Sequence, residues 1–125
     1  MPSNLSLPPD CRVVEISGCL DGRSPESAQY QEMLMAATEA EITAHTVFDL
    51  SRTTYVNSKF LGLLINYRAV SQRAGYQAML YAPSPSLKNV IQTTGIHYLI
   101  PLAANEDEIY ARLSQGDSSL EIYNE

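Results

Sequence analysis

The sequence predicts a single α/β domain built on a four- or five-stranded, mainly parallel sheet with about four helices. Three observations carry that reading. Strand-like apolar runs alternate with helix-period segments along most of the chain and are joined by short connections, the pattern of right-handed βαβ units. The stretch Val47 to Leu64 contains the core of one such unit: an apolar run ending at Asp49-Leu50, a short polar turn, and a helix entered through Asn57 and Ser58. Finally, 125 residues with 45% hydrophobic content suffice for one core and are too few for two ordinary domains. The domain is expected to occupy residues 1–115, with residues 116–125 as a polar tail.

Taken in order, the Pro- and Ser-rich lead allows a short edge strand around Leu5 to Leu7 before Pro8-Pro9. Cys11 to Leu20 fits a buried strand through Val13, Val14, Ile16, Cys19 and Leu20, ended by the turn dipeptide Asp21-Gly22. Ser24 caps a helix that has Pro25 at its first position and Glu26 in its first turn. Tyr30, Met33, Leu34 and Ala37 form its inner stripe, with Met35 on the flank. His45 to Leu50 reads as the next strand, His45 serving as a surface or capping residue.

The central helix places Phe60, Leu63, Leu64, Tyr67, Val70 and Ala74 on one face, widened at its start by Leu61 and Ile65, so its first turns are packed on most sides. Gly75 is its expected C′ residue, and Tyr76 to Ala82 the following strand, stopped by Pro83. Ser84-Pro85 repeats the cap-plus-proline start, with Leu87, Val90, Ile91 and Thr94 facing inward before Gly95 closes the helix. A brief strand is expected at Tyr98 to Leu102. Asn105 then starts a last helix with Glu108 in capping-box position and Ile109, Tyr110 and Leu113 inward.

Ser58 is the candidate site. A hydroxyl at the start of a rigid helix lies where free backbone N–H groups and the helix dipole favour negative charge, so a phosphate is well placed there. On the residues alone, the favoured reading is that Ser58 or Asn57 is simply a helix cap, because most cap residues do nothing else. In a parallel sheet the loops at the carboxyl ends of strands carry the binding groups. Asp21-Gly22, Thr53 to Ser58 and Ala82 to Ser84 lie at such ends and are expected to form one surface around Ser58.

Asp49-Leu50 followed by Val56-Asn57-Ser58-Lys59-Phe60-Leu61-Gly62 resembles the signature of the STAS domain, the bacterial anti-sigma-factor antagonist family, in which Asp-Leu precedes a loop reading Asp-Ser-Ser/Thr-Gly-Leu-Gly. Gly18-Cys19-Leu20-Asp21 is similar to the family's Gly-x-Leu-Asp. Arg73-Ala74-Gly75, Pro83, Thr94-Gly95 and Pro101 fall where its members carry Arg/Lys-x-Gly, Pro, Thr-Gly and Pro, so the likeness runs from about Val13 to Leu113. Asn57, Lys59 and Phe60 stand where the family has Asp, Ser/Thr and Gly. The resemblance implies that Ser58 is phosphorylated by a partner, an anti-sigma factor or related serine kinase, with a phosphatase to reverse it. It places Asp21 beside the Ser58 loop, although Asp before Gly is also an ordinary turn choice. Around Ser58, Tyr55, Asn57, Lys59 and Phe60 become candidate partner contacts. Lys59 reads either as a cation for a phosphate or an acidic partner, or as a solvated lysine; Tyr55 reads either as an anchor or as a packed ring.

Composition narrows the function classes. The net charge is -6 and no Lys/Arg run exists, so neither nucleic acid nor an anionic membrane surface is an expected partner. No apolar run approaches the length of a membrane span, and the first residues lack a basic start and an apolar signal core, so a cytoplasmic location is expected. Cys11 and Cys19, on the order of 26 Å apart in a straight strand, are out of disulfide reach, and two cysteines with two distant histidines make no metal site. No cofactor is expected. Ser58 has no histidine in its loop, and Gly18 and Gly22 are wrongly spaced for a dinucleotide fingerprint, so a binding module is expected over an enzyme. Within that class the alternatives are a phosphorylation-controlled partner switch and a phosphorylation-independent scaffold or assembly subunit anchored through Phe60 or Tyr55.

Overall fold

Four strands and four helices alternate along the chain in a computed structural model that describes residues 11–21, 24–82 and 84–115. They are β1 Cys11–Leu20, α1 Pro25–Ala36, β2 His45–Val56, α2 Ser58–Arg73, β3 Ala78–Tyr81, α3 Pro85–Thr94, β4 Leu102–Ala103 and α4 Glu106–Gln115, with 3₁₀ turns at Glu39–Glu41 and Ile96–Tyr98. The sheet is wholly parallel among the described residues, in the order β1-β2-β3-β4. The α/β reading holds, with four strands. The suggested strand at Leu5 to Leu7, Gly22, Pro83 and the tail from Gly116 lie outside the described residues.

Strands added in chain order by crossovers of one hand place every crossover helix on the same face. The packing agrees. Leu34 of α1, Leu61 and Leu64 of α2 and Leu87 and Ile91 of α3 join Ile16, Phe48, Leu80 and Leu102 in the main core. The alternate strand residues, Val47, Met79 and Ala103, face the other way and meet Ile109 of α4 in a smaller cluster. Period-two alternation within β2 and β3 thus divides the sheet into a three-helix face and a one-helix face.

β2 is longer than the sequence predicts, because the segment read as a polar turn continues the strand to Val56. Ten residues of β1 pair with twelve of β2 across two register shifts. At the first, Glu15 and Ser17 face Asp49 and Arg52; at the second, Gly18 and Cys19 face Thr53 and Tyr55. Each shift accommodates one extra residue in β2, as a bulge does. Burial follows: Ser51-Arg52 and Thr54-Tyr55 are exposed pairs, while Thr53 and Val56, three apart, are buried. The extra residues erase the period-two signal by which a strand is read. Gly18 sits at the second shift with φ +88°, a conformation for which glycine is suited. Thr53 fastens the distorted region, its Oγ1 donating to the Ile16 carbonyl at 2.7 Å.

Several side chains differ from expectation. Cys19 is exposed, not core, because the register shift beside it breaks the alternation of β1; neither cysteine is in a disulfide. Val90 (45% exposed) and Tyr110 (40%) face outward, and Thr94 is exposed with its hydroxyl bonded to the Ile91 carbonyl. Ile91 and Ile109 instead carry the inward faces of those two helices. Of the strand expected at Tyr98 to Leu102, Tyr98 ends the 3₁₀ turn that follows Gly95 (φ +78°), residues 99–101 are irregular, and only Leu102, with Ala103 after it, forms strand beside β3. The strand expected over Tyr76 to Ala82 is trimmed to β3. Among the described residues, no helix is long and apolar enough to cross a membrane.

The Thr53 hydroxyl is predicted to hold the bulged region together. Thr53→Val, nearly the same shape, leaves the buried Ile16 carbonyl without that donor and should lower unfolding free energy by about 1–3 kcal/mol in urea denaturation.

Candidate functional site

The last pairing of β2 and the first turn of α2 are separated by one residue. Val56 is opposite Leu20, and the next backbone N–H, that of Asn57, donates to the Leu20 carbonyl at 3.1 Å. Asn57 is still extended (φ -93°, ψ 170°), and its side-chain Oδ1 accepts the N–H of Phe60 at 2.9 Å. Its own carbonyl accepts from Leu61 N. Of the two cap candidates, Asn57 is therefore the cap and Ser58 the first helical residue. Phe60 and Leu61, at 3% and 1% exposure, drive into the core and fix the direction in which the helix starts.

Ser58 and Lys59 are left exposed by this arrangement. The Ser58 hydroxyl has no hydrogen bond, and Lys59 no ion pair, to any described residue. The first turn of α2 contains no acidic residue, whereas that of α4 holds Glu106, Asp107 and Glu108. Beyond the Asn57 cap, the positive end of the α2 dipole thus meets no carboxylate in its own first turn, and Lys59 adds to it. A dianionic group on Ser58 would meet backbone N–H groups and a cation.

The neighbouring predicted residues fall into three groups. Asp21 directly follows Leu20, whose carbonyl holds Asn57, so it adjoins the Ser58 loop; its Oδ1 also accepts the Ser24 N–H at 3.2 Å, which makes it the turn residue before α1. Tyr55 is 52% exposed and lies on a groove of about 420 Å³, walled by Thr54, Tyr55 and Val56 on one side and by Ser86, Leu87 and Val90 of α3 on the other. Beyond Asp49, β2 has no pairing with β3, which leaves room for this groove. Phe60 is the correction. Its ring belongs to the core and offers a partner no surface.

The histidines do not converge on Ser58. His45 begins β2, on the order of 30 Å away along the strand, where Nδ1 accepts the Gln77 N–H at 2.9 Å, a capping role. His97 lies in the 3₁₀ turn before β4. At the carboxyl end of β3, Tyr81 has its phenol held above the usual pKa by burial first and then by the Asp49 and Glu106 carboxylates, so it stays neutral at physiological pH.

Sequence reasoning missed polar groups inside the fold. Arg68 and Ser71 are buried on α2, and the Thr46 and Tyr67 hydroxyls share a buried 3.2 Å hydrogen bond. It also missed a basic pocket formed by Lys88, His97 and Arg112. No single motif carries that set, since its members come from three separate elements.

The cap and its neighbour separate cleanly by mutation. Asn57→Ala should cost about 1 kcal/mol of unfolding free energy, the usual value of a lost cap, while Ser58→Ala should stay within about 0.5 kcal/mol of the parent. Parallel urea titrations of the two variants read this difference.

Comparison with known proteins bears on the whole architecture. The STAS-domain family model matches residues 4–109. Among solved structures, a sulfate transporter family protein from Wolinella succinogenes superposes with a TM-score of 0.64 at 14% identity, covering 96% of this chain and 92% of that one. At that identity the likeness is one of fold. With the family match spanning most of the sequence and the parallel sheet and helix order in agreement with it, this chain belongs to the STAS-domain family.

Proposed function

We propose that this protein is a partner-switching regulator of the anti-sigma-factor antagonist kind. Its unmodified Ser58 surface docks on an anti-sigma factor or a related serine kinase, and docking releases whatever that partner held. The kinase transfers the γ-phosphoryl group of ATP to the Ser58 oxygen, ADP leaves, and the hydroxyl proton is lost. A phosphatase restores the hydroxyl by hydrolysis. The protein itself acts as a binding module and supplies no catalysis.

One observation carries this reading: an exposed, unengaged Ser58 hydroxyl at the start of a helix whose first turn has no acid and one lysine. Phosphorylation adds a charge of about -1.5 to -2. The protein's own helix end tolerates that charge, whereas a partner surface desolvated against Ser58 is repelled by it. Binding can therefore be turned off with almost no change of fold. The groove beside Tyr55 supports the docking half of the scheme, because an exposed aromatic edge next to Leu87 and Val90 suits an apolar side chain of a partner.

Tyr55 also favours a second reading, a phosphorylation-independent scaffold or assembly subunit. There the Tyr55 groove forms a lasting contact, and the Asn57, Lys59 and Phe60 departures mark a site without a kinase. Phe60 cannot serve as that anchor, being buried.

The two are separated by incubating the protein with ATP and its candidate serine kinase and mapping the modified peptide by mass spectrometry, beside Ser58→Ala. The switch predicts phosphate on Ser58 alone and at least about tenfold weaker kinase binding by Ser58→Glu. An active kinase that leaves Ser58 unmodified, with Ser58→Glu binding as the parent does, contradicts the switch and favours the scaffold.

A further inference from the structure

Two strands away from the Ser58 loop, the outer edge of the sheet carries a second polar site. β4 is the edge strand, and the Leu102 carbonyl accepts the Arg112 Nε–H at 3.2 Å. That bond closes part of the open strand edge and fixes the plane of the guanidinium. Around it lies a pocket of about 170 Å³ lined by Lys88 and Gln92, one turn apart on α3, by His97 from the 3₁₀ turn, and by Glu108 and Arg112 of α4.

The charges in this pocket are unevenly satisfied. Glu108 turns back on its own helix start: one carboxylate oxygen accepts the Ala104 N–H at 3.1 Å, and the other is 3.5 Å from the Asn105 amide nitrogen. Neither Lys88 nor Arg112 forms an ion pair with any described residue. The His97 Nδ1 is buried without a hydrogen-bond partner. A protein of net charge -6 thus gathers two permanent cations, an amide and an imidazole around one small cavity, with Glu108 as its one carboxylate.

We infer that this pocket binds a small oxyanion, a phosphate group. Lys88 acts as the point charge, the Arg112 Nη groups form a planar fork, and His97 and Gln92 donate from the walls. The volume is well below the roughly 300–1,000 Å³ of sites that enclose drug-sized ligands, so the pocket takes the ion itself or the terminal phosphate of a small ester. The site is independent of Ser58 and of the partner switch. Because it joins α3, β4 and α4, its occupancy ties the last helix to the sheet edge.

The test is an NMR titration of the full chain with inorganic phosphate at constant ionic strength, sodium chloride being removed as phosphate is added. Saturable shifts confined to the amides around Lys88, Gln92, His97 and Arg112 are expected. Lys88→Gln and His97→Gln should each weaken the apparent affinity by about tenfold, the worth of one charge-assisted hydrogen bond, and the remote charge removal Arg73→Gln should leave it unchanged. Shifts that grow linearly without saturating, saturable shifts centred elsewhere, or an equal affinity for acetate would each overturn the assignment.

Discussion

The connection between β2 and α2 depends on how two extra residues are absorbed in β2. A strand of twelve residues pairs with one of ten, and the difference is taken up in two register shifts fastened by Gly18 and by the Thr53–Ile16 hydrogen bond. This is what lets β2 run beyond β3, carry Val56 to a position opposite Leu20, and hand the chain to α2 across Asn57 alone. A longer connection would leave Ser58 on a loop with many conformations. Here it is held between a sheet hydrogen bond on one side and a capped, core-anchored helix turn on the other.

Division of labour within the first turn of α2 follows from that geometry. Asn57 satisfies a backbone donor, Phe60 and Leu61 supply the packing, and Ser58 and Lys59 do neither. The two exposed residues make no hydrogen bond or ion pair through their side chains to any described residue, so the proposed phosphorylation of Ser58 would leave the packing of this turn in place. Three helices pack on the same face of the sheet and α4 covers the other, so the groove between β2 and α3 opens on the three-helix side.

Much of this was legible in the sequence. Ser24-Pro25, Asn105 with Glu108, and Gly95 mark helix ends because caps are local, and a local signal survives without knowledge of the fold. The α2 face was readable from its period, and the Asp49 to Gly62 run pointed to the family. What stayed hidden depends on strand pairing. Ser51 to Tyr55 read as a turn because a register shift belongs to two strands and leaves no mark on one; for the same reason Cys19 was misplaced in the core. Phe60 was a candidate surface anchor until the direction of α2 was known. Lys88, His97 and Arg112 meet only once α3, β4 and α4 are assembled.

The central claim is that negative charge at Ser58 changes the surface and leaves the fold alone. The most direct measurement compares backbone amide spectra of the parent and Ser58→Glu proteins under one set of conditions. The account predicts shifts confined to Asn57–Leu61 and to Leu20 and Asp21 across the pairing, with β3, β4 and α4 unmoved. Changes spread through β3 and α4, or a loss of dispersed signals, would contradict it and tie Ser58 to the stability of the fold.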